Sequence, residues 1–139
     1  MPANTTPIFV DSGNFTPARI NAANTASDGS GALVTVVTAG ANGTRVDGVR
    51  FRNSQATAAT SSNMVMRIFL SDTLGANYRL VGEVTMAAAT RSTTVIGATS
   101  IFTFDQPIVM QSGQIMAVCQ SVYVGVQDQN DAIAYAGNY

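Results

Sequence analysis

Apolar and polar positions alternate with a period of two along most of this chain, and that period predicts strands. The pattern is densest from Gly43 to Met86, where three patterned runs are separated by two polar breaks, the one-dimensional form of a β-meander. In the third run, Tyr78, Leu80, Gly82, Val84 and Met86 share one face and Arg79, Val81, Glu83 and Thr85 the other, which predicts one dry and one wet side. The middle run places Met64, Met66, Ile68 and Leu70 opposite Val65, Arg67 and Phe69. With apolar side chains on both faces, it reads as a central strand or one whose second face meets another chain. The first run changes parity between Val46 and the pair Val49 and Phe51. A β-bulge at Asp47-Gly48, with glycine accepting the backbone angles, restores the inward phase.

The remaining chain predicts further strands and no helix. Leu33 to Thr38 is β-branched and short. The Asn42-Gly43 pair after it reads as a hairpin turn, so the strands on either side are expected to be antiparallel neighbours. Gln55 to Ser62 and Ser71 to Asn77 are connectors by composition. Ala87 to Ser100 reads as a loop with room for one short strand, because its threonines and Val95 oppose helix. Phe102, Phe104, Ile108 and Met110 keep one parity, with Pro107 marking an edge strand or a bend. Gln114 to Val124 reads as one long strand, and Val126 to Tyr135 as a last one with a polar middle. About eight strands result, which predicts an all-β, antiparallel two-sheet sandwich of the jelly-roll kind. Residues 17–139 make a single domain of adequate size for a two-layer core. Residues 1–16, with Pro2, Pro7 and the apolar triplet Ile8-Phe9-Val10, read as an N-terminal arm.

Composition narrows the function. Of 139 residues, 46 % are hydrophobic and only 11 % charged, against about 25 % charged in ordinary soluble domains. A surface so poor in charge suits a subunit covered by neighbours. All seven basic residues are arginine, and the chain has neither lysine nor histidine. Serine or cysteine nucleophiles paired with histidine, Schiff-base lysines and Walker lysines are therefore excluded. Cys119 is the only thiol, so no internal disulfide forms, and its apolar setting reads as a buried small hydrophobe. Net charge is −1 and the sequence pI about 5.0. The closest approach to a basic stripe, Arg45, Arg50 and Arg52, is diluted by Asp47, so nucleic-acid binding is not expected. No run resembles a membrane span or a leader, which predicts synthesis in the cytoplasm.

Three constellations have a chemical reading and a plainer one. Glu83, the only glutamate, is expected in a surface ion pair with Arg79 rather than in acid–base chemistry. Asp128, Asn130 and Asp131 form an oxygen-rich group without the EF-hand spacing, expected as a solvated turn or distorted strand rather than an ion site. Asp28-Gly-Ser-Gly31 is a loop, since no lysine and helix follow it. Met64, Met66, Met86, Met110 and Met116 suit a core and an adaptable interface equally. No catalytic residue, cofactor, metal or small-molecule substrate is expected.

From Ala22 onward, the pieces AANTASDGSGALVTVVTAGANGTRVDGVRFR, MVMRIFLSDTLGANYRLVGEVTM, QPIVMQSGQIMAV and AGNY occur in order. In these pieces, chiefly the TAGANGTRVDGVR block and the RIFLSD strand, the chain resembles a family of small phage-associated structural proteins. The resemblance implies a virion component, a capsid decoration or cement protein that binds the major capsid protein as a homotrimeric β-sandwich on the shell. A tail or receptor-binding accessory is the alternative it leaves open. On this reading Ile8, Phe9, Val10, Arg50, Arg52 and Arg67 are the expected interface residues, arginine because its planar fork bonds several carbonyls or carboxylates at once.

Overall fold

A computed structural model describes residues 10–56 and 58–139. Along these, the chain forms β1 (Ser12–Gly13), β2 (Ala18–Ile20), β3 (Val34–Thr38), β4 (Thr44–Asn53), β5 (Ala59–Thr60), β6 (Met64–Leu70), β7 (Arg79–Met86), β8 (Thr90–Arg91), β9 (Thr99–Met110), β10 (Ile115–Gln120) and β11 (Asn130–Asn138). A single 3-10 turn, Val126–Asp128, precedes β11. One sheet runs β1-β11-β4-β9, with β2 continuing the edge beside β1; the other runs β3-β10-β6-β7. The two-residue strands β5 and β8 pair separately. Every pairing between these strands is antiparallel. The partners nest, β2 with β11, β3 with β10, β4 with β9 and β6 with β7, so the chain winds the two sheets together from outside inward.

The core lies between the sheets. Val46, Val49 and Phe51 of β4 and Met64, Met66 and Ile68 of β6 meet Met116 and Val118 of β10, with Ala132 and Ala134 of β11 leaving room for the larger side chains. The five methionines of the strand runs are all buried, so core filling accounts for them. The bulge expected in β4 is present: Val46 and Gly48 pair with Ala136 and Tyr135, leaving Asp47 unpaired, and Val46, Val49 and Phe51 all turn inward. Its glycine is needed for a different reason than expected. Gly48 is not among the glycines with positive φ; a side chain there would instead strike the carbonyl oxygen of Phe102 on the neighbouring strand.

Four sequence expectations are corrected by the structure. Gly43 to Met86 is not one meander, because β4 lies in one sheet and the β6–β7 hairpin in the other. The turn at Asn42-Gly43 does not join sheet neighbours either: Gly43, at φ 97°, donates to the Gly40 carbonyl at 3.0 Å and carries the chain from one layer to the other. In β7 a second bulge falls at Val81, since Ile68 pairs with Gly82 but Phe69 with Leu80. Val81 therefore packs on the core and Leu80 is exposed, the reverse of strict alternation. β10 ends at Gln120 instead of Val124 because the buried Gln120 amide donates to the carbonyls of Val122 and Asp128, both at 2.9 Å, folding the chain back.

β6 is central, as its apolar faces require, and β9 with Pro107 is an edge strand. The short strand expected within Ala87 to Ser100 is β8. Ile8 and Phe9 lie outside the described residues. Residues 10–16 of the expected arm are tied to the sheet: β1 pairs with β11, and the Asn14 amide donates to the Thr38 carbonyl at 2.7 Å and to Asn138 Oδ1 at 2.7 Å.

The β6–β7 hairpin is held by Asp72. Its Oδ1 accepts the backbone N–H groups of Leu74 (2.9 Å) and Ala76 (3.0 Å), and its Oδ2 the Asn77 amide (2.7 Å). The Ala76 N–H and then the Asn77 amide hold this carboxyl below its ordinary value of 3.8. A depressed folded pKa contributes stability above the unfolded value and loses it as pH falls through the folded one. Asp72→Asn is therefore expected to lower the melting temperature at neutral pH, with the gap to the parent closing below about pH 4. Parallel thermal melts from neutral to acid pH read this directly.

Candidate functional site

The outer faces of the two sheets differ in what covers them. On the β3-β10-β6-β7 sheet, Phe69, Ala117 and Cys119 point away from the core cluster yet are buried. Their side of the sheet meets the segment between β2 and β3. Asn24 donates its backbone N–H to the Gln120 carbonyl at 2.8 Å, and its own carbonyl accepts from Arg67 Nη1 at 3.3 Å and lies 3.8 Å from Cys119 Sγ. The Asn24 side chain ties the segment together through the carbonyls of Ser30 and Ala32. Burial pushes the Cys119 thiol up, against the opposing charge of Arg67, which disfavours the thiolate.

Among the described residues, the outer face of the β1-β11-β4-β9 sheet carries no such cover. In register across β11, β4 and β9, Ile133 stands beside Arg50 and Arg50 beside Ile101; Asp131 stands beside Arg52, and Arg45 beside Val109. Ile101, Val109 and Tyr135 are 53 %, 60 % and 43 % exposed. Val10 and Phe15, also exposed, line a groove with Tyr135 and Ile133 at the same face's β1 edge.

Charge on this face is unevenly compensated. Arg45 pairs with Asp47 at 2.9 Å and Arg19 with Asp131 at 3.0 Å, the latter contact holding the Arg19 guanidinium more firmly protonated. Arg50 and Arg52 have no carboxylate partner among the described residues. Together with Arg91 they line a recess of about 340 Å³ beside Pro17 and Ile133. Arg91 is steadied by donating Nη1 to the Asn53 carbonyl at 2.9 Å.

Of the expected interface residues, Val10, Arg50 and Arg52 thus lie on this uncovered face. Arg67 lies on the other sheet, its side chain 14 % exposed and occupied by Glu83 at 2.8 Å. Glu83 was expected to pair with Arg79, but residues four apart on a strand are roughly 13 Å from each other, and its register partner is Arg67. Asp128 and Asp131 also part company. Asp131 faces outward to Arg19, whereas Asp128 is fully buried, not the solvated turn expected, and accepts from Ser62 N at 2.7 Å, Ser62 Oγ at 3.1 Å and Val124 N at 2.8 Å. No three His, Cys, Asp or Glu side chains converge among the described residues. Asp28 accepts from its own loop at Ser30. No helix among the described residues is long and apolar enough to cross a membrane.

Sequence reasoning passed over Ile101, Val109, Tyr135 and Arg91. The signal for the first two was present, since they hold the parity opposite to Phe102 and Met110 on a strand whose inner side was already assigned. No protein-family model and no curated protein matches the chain.

Proposed function

We propose that this protein is a non-enzymatic virion structural protein that decorates and stabilises a phage capsid, binding the major capsid protein through the uncovered face of its β1-β11-β4-β9 sheet. The contrast between the two outer faces carries the reading: one is covered along β10 and β6 by the chain's own segment, and the other, among the described residues, exposes isoleucine, valine and tyrosine around arginines without a carboxylate partner. Such a mixture of apolar side chains and arginine is characteristic of protein interfaces. The resemblance to phage structural proteins directs it to the capsid shell, with the virion surface as its place of use. The nested strand order supports reading the sandwich as a jelly roll, in keeping with a capsid accessory although the fold alone does not assign a role. A homotrimer is the assembly expected, closed by a head-to-tail contact around a threefold axis.

Binding to the folded shell stabilises it by mass action. Particles stripped of this protein should release their genome at a lower temperature than decorated ones, and adding the purified chain should restore the difference. Bound copies, counted by mass spectrometry, should saturate in fixed proportion to the capsid subunits. A few copies confined to one vertex or to fibres would instead assign the protein to the tail, as a receptor-binding accessory.

A further inference from the structure

We propose that the recess formed by Arg50, Arg52 and Arg91 receives the carboxylates of an acidic segment of a protein partner. This rests on the reading of the uncovered face as an attachment surface and adds the chemistry of what attaches.

Three guanidinium groups line one recess, and the one carboxylate among the lining residues, Asp131, is held by Arg19 at 3.0 Å. The chain's other carboxylates supply no ion pair to these arginines. Asp47 and Glu83 are paired elsewhere, Asp128 is buried, Asp28 and Asp72 hold their own loops, and Asp11 and Asp105 form no salt bridge among the described residues. Gathering three arginines around one carboxylate that Arg19 already engages leaves an excess of positive charge, unfavourable in the free chain and relieved when an anion arrives. Guanidinium binds carboxylate through two parallel N–H···O bonds, and the contact of Arg91 with the Asn53 carbonyl fixes one fork in advance. Arg50 stands between Ile133 and Ile101, which thin the water around any ion pair it forms. A polyphosphate chain is the poorer occupant. The recess is compact and flanked by Pro17 and Ile133, and among the described residues no basic stripe extends from it to track a long phosphate chain.

The test uses the full chain and three fluorescent probes, an alternating glutamate–serine decapeptide, its glutamine–serine counterpart and a thymidine decanucleotide, with binding read by anisotropy. The glutamate peptide should bind saturably and weaken with added salt, and the glutamine peptide should not bind. Arg50→Gln, Arg52→Gln and Arg91→Gln should each weaken binding about tenfold, while Arg79→Gln, elsewhere on the surface, leaves it unchanged. Thermal melts of each variant establish that the fold is intact. Failure of the glutamate peptide to bind, or binding indifferent to Arg50→Gln and Arg52→Gln, overturns the proposal. Tighter binding of the oligonucleotide reassigns the recess to phosphate. Self-association abolished by Arg52→Gln reassigns it to a second copy of this chain. Because no particle is present, the outcome is separable from decoration: lost peptide binding with retained capsid attachment defeats only this proposal, and the converse defeats only the capsid reading.

Discussion

Replacing Asp128 with alanine is expected to destabilise the protein by about 3 kcal/mol, roughly 1 kcal/mol for each of the three hydrogen bonds its carboxylate accepts. The carboxylate lies wholly inside and accepts two backbone N–H groups, from Ser62 and Val124, together with the Ser62 hydroxyl. It therefore fastens the connection between β10 and β11 to the residues leading into β6. Alanine removes every acceptor, and water reaching the half-buried Ser62 and the exposed Val124 replaces only part of what is lost. Asparagine keeps one acceptor oxygen but presents an amide N–H₂ to a second donor, so its loss should be intermediate. Urea unfolding followed by circular dichroism measures both, with the midpoint falling and the slope unchanged. A loss below about 1 kcal/mol for alanine would show that the segment finds other partners.

The second large effect is expected at Gly48. A valine there drives Cβ into the carbonyl oxygen of Phe102, and backbone on an adjacent strand moves far less readily than a side chain. Either β9 is displaced from the sheet or the bulge that turns Val46, Val49 and Phe51 inward is lost. Overpacking of this kind costs about 2–3 kcal/mol. The same denaturation experiment measures it, and native-state hydrogen exchange should show the loss concentrated in β9 and β4. A variant as stable as the parent would mean that the close approach of the two strands is not a constraint.

How far the chain could be read depended on whether a feature was local. Alternation is local, so the strands of Met64 to Met86, the central place of β6 and the edge place of β9 were legible. So was the bulge at Asp47-Gly48, because a parity change between Val46 and Val49 has few other remedies. Which strands become neighbours is not local. Asn42-Gly43 has the chemistry of a hairpin turn, but Gly43 accepts positive φ equally well where the chain changes layers, and only the sandwich as a whole decides between them. The bulge at Val81 was invisible because Leu80 and Val81 are both apolar and either could face the core. Ion pairing failed for the same reason: the partner of Glu83 is fixed by the register of β6 and β7, which places Arg67 opposite it.

The candidate surface was half legible. Arg50 and Arg52 stood out as charges interrupting an apolar run, and both lie on the uncovered face. Arg67 had the same local pattern, yet the segment from Asn24 covers its sheet and Glu83 occupies its guanidinium. What separates it from the other two is a contact between residues far apart in the chain, which no local pattern carries.

The account stands on the uncovered face being the side that meets the shell, and a matched pair of substitutions tests that most directly. Ile101→Glu places a charge between the strands of this face, whereas Leu74→Glu places one at the tip of the β6–β7 hairpin, where the side chain is 88 % exposed. Both positions tolerate a charged side chain in the free protein, so melting temperatures should stay near that of the parent. In co-sedimentation with stripped particles, Ile101→Glu should lose attachment and Leu74→Glu should retain it. Attachment that survives Ile101→Glu and fails with Leu74→Glu would place the binding surface on the other side of the molecule and contradict the account.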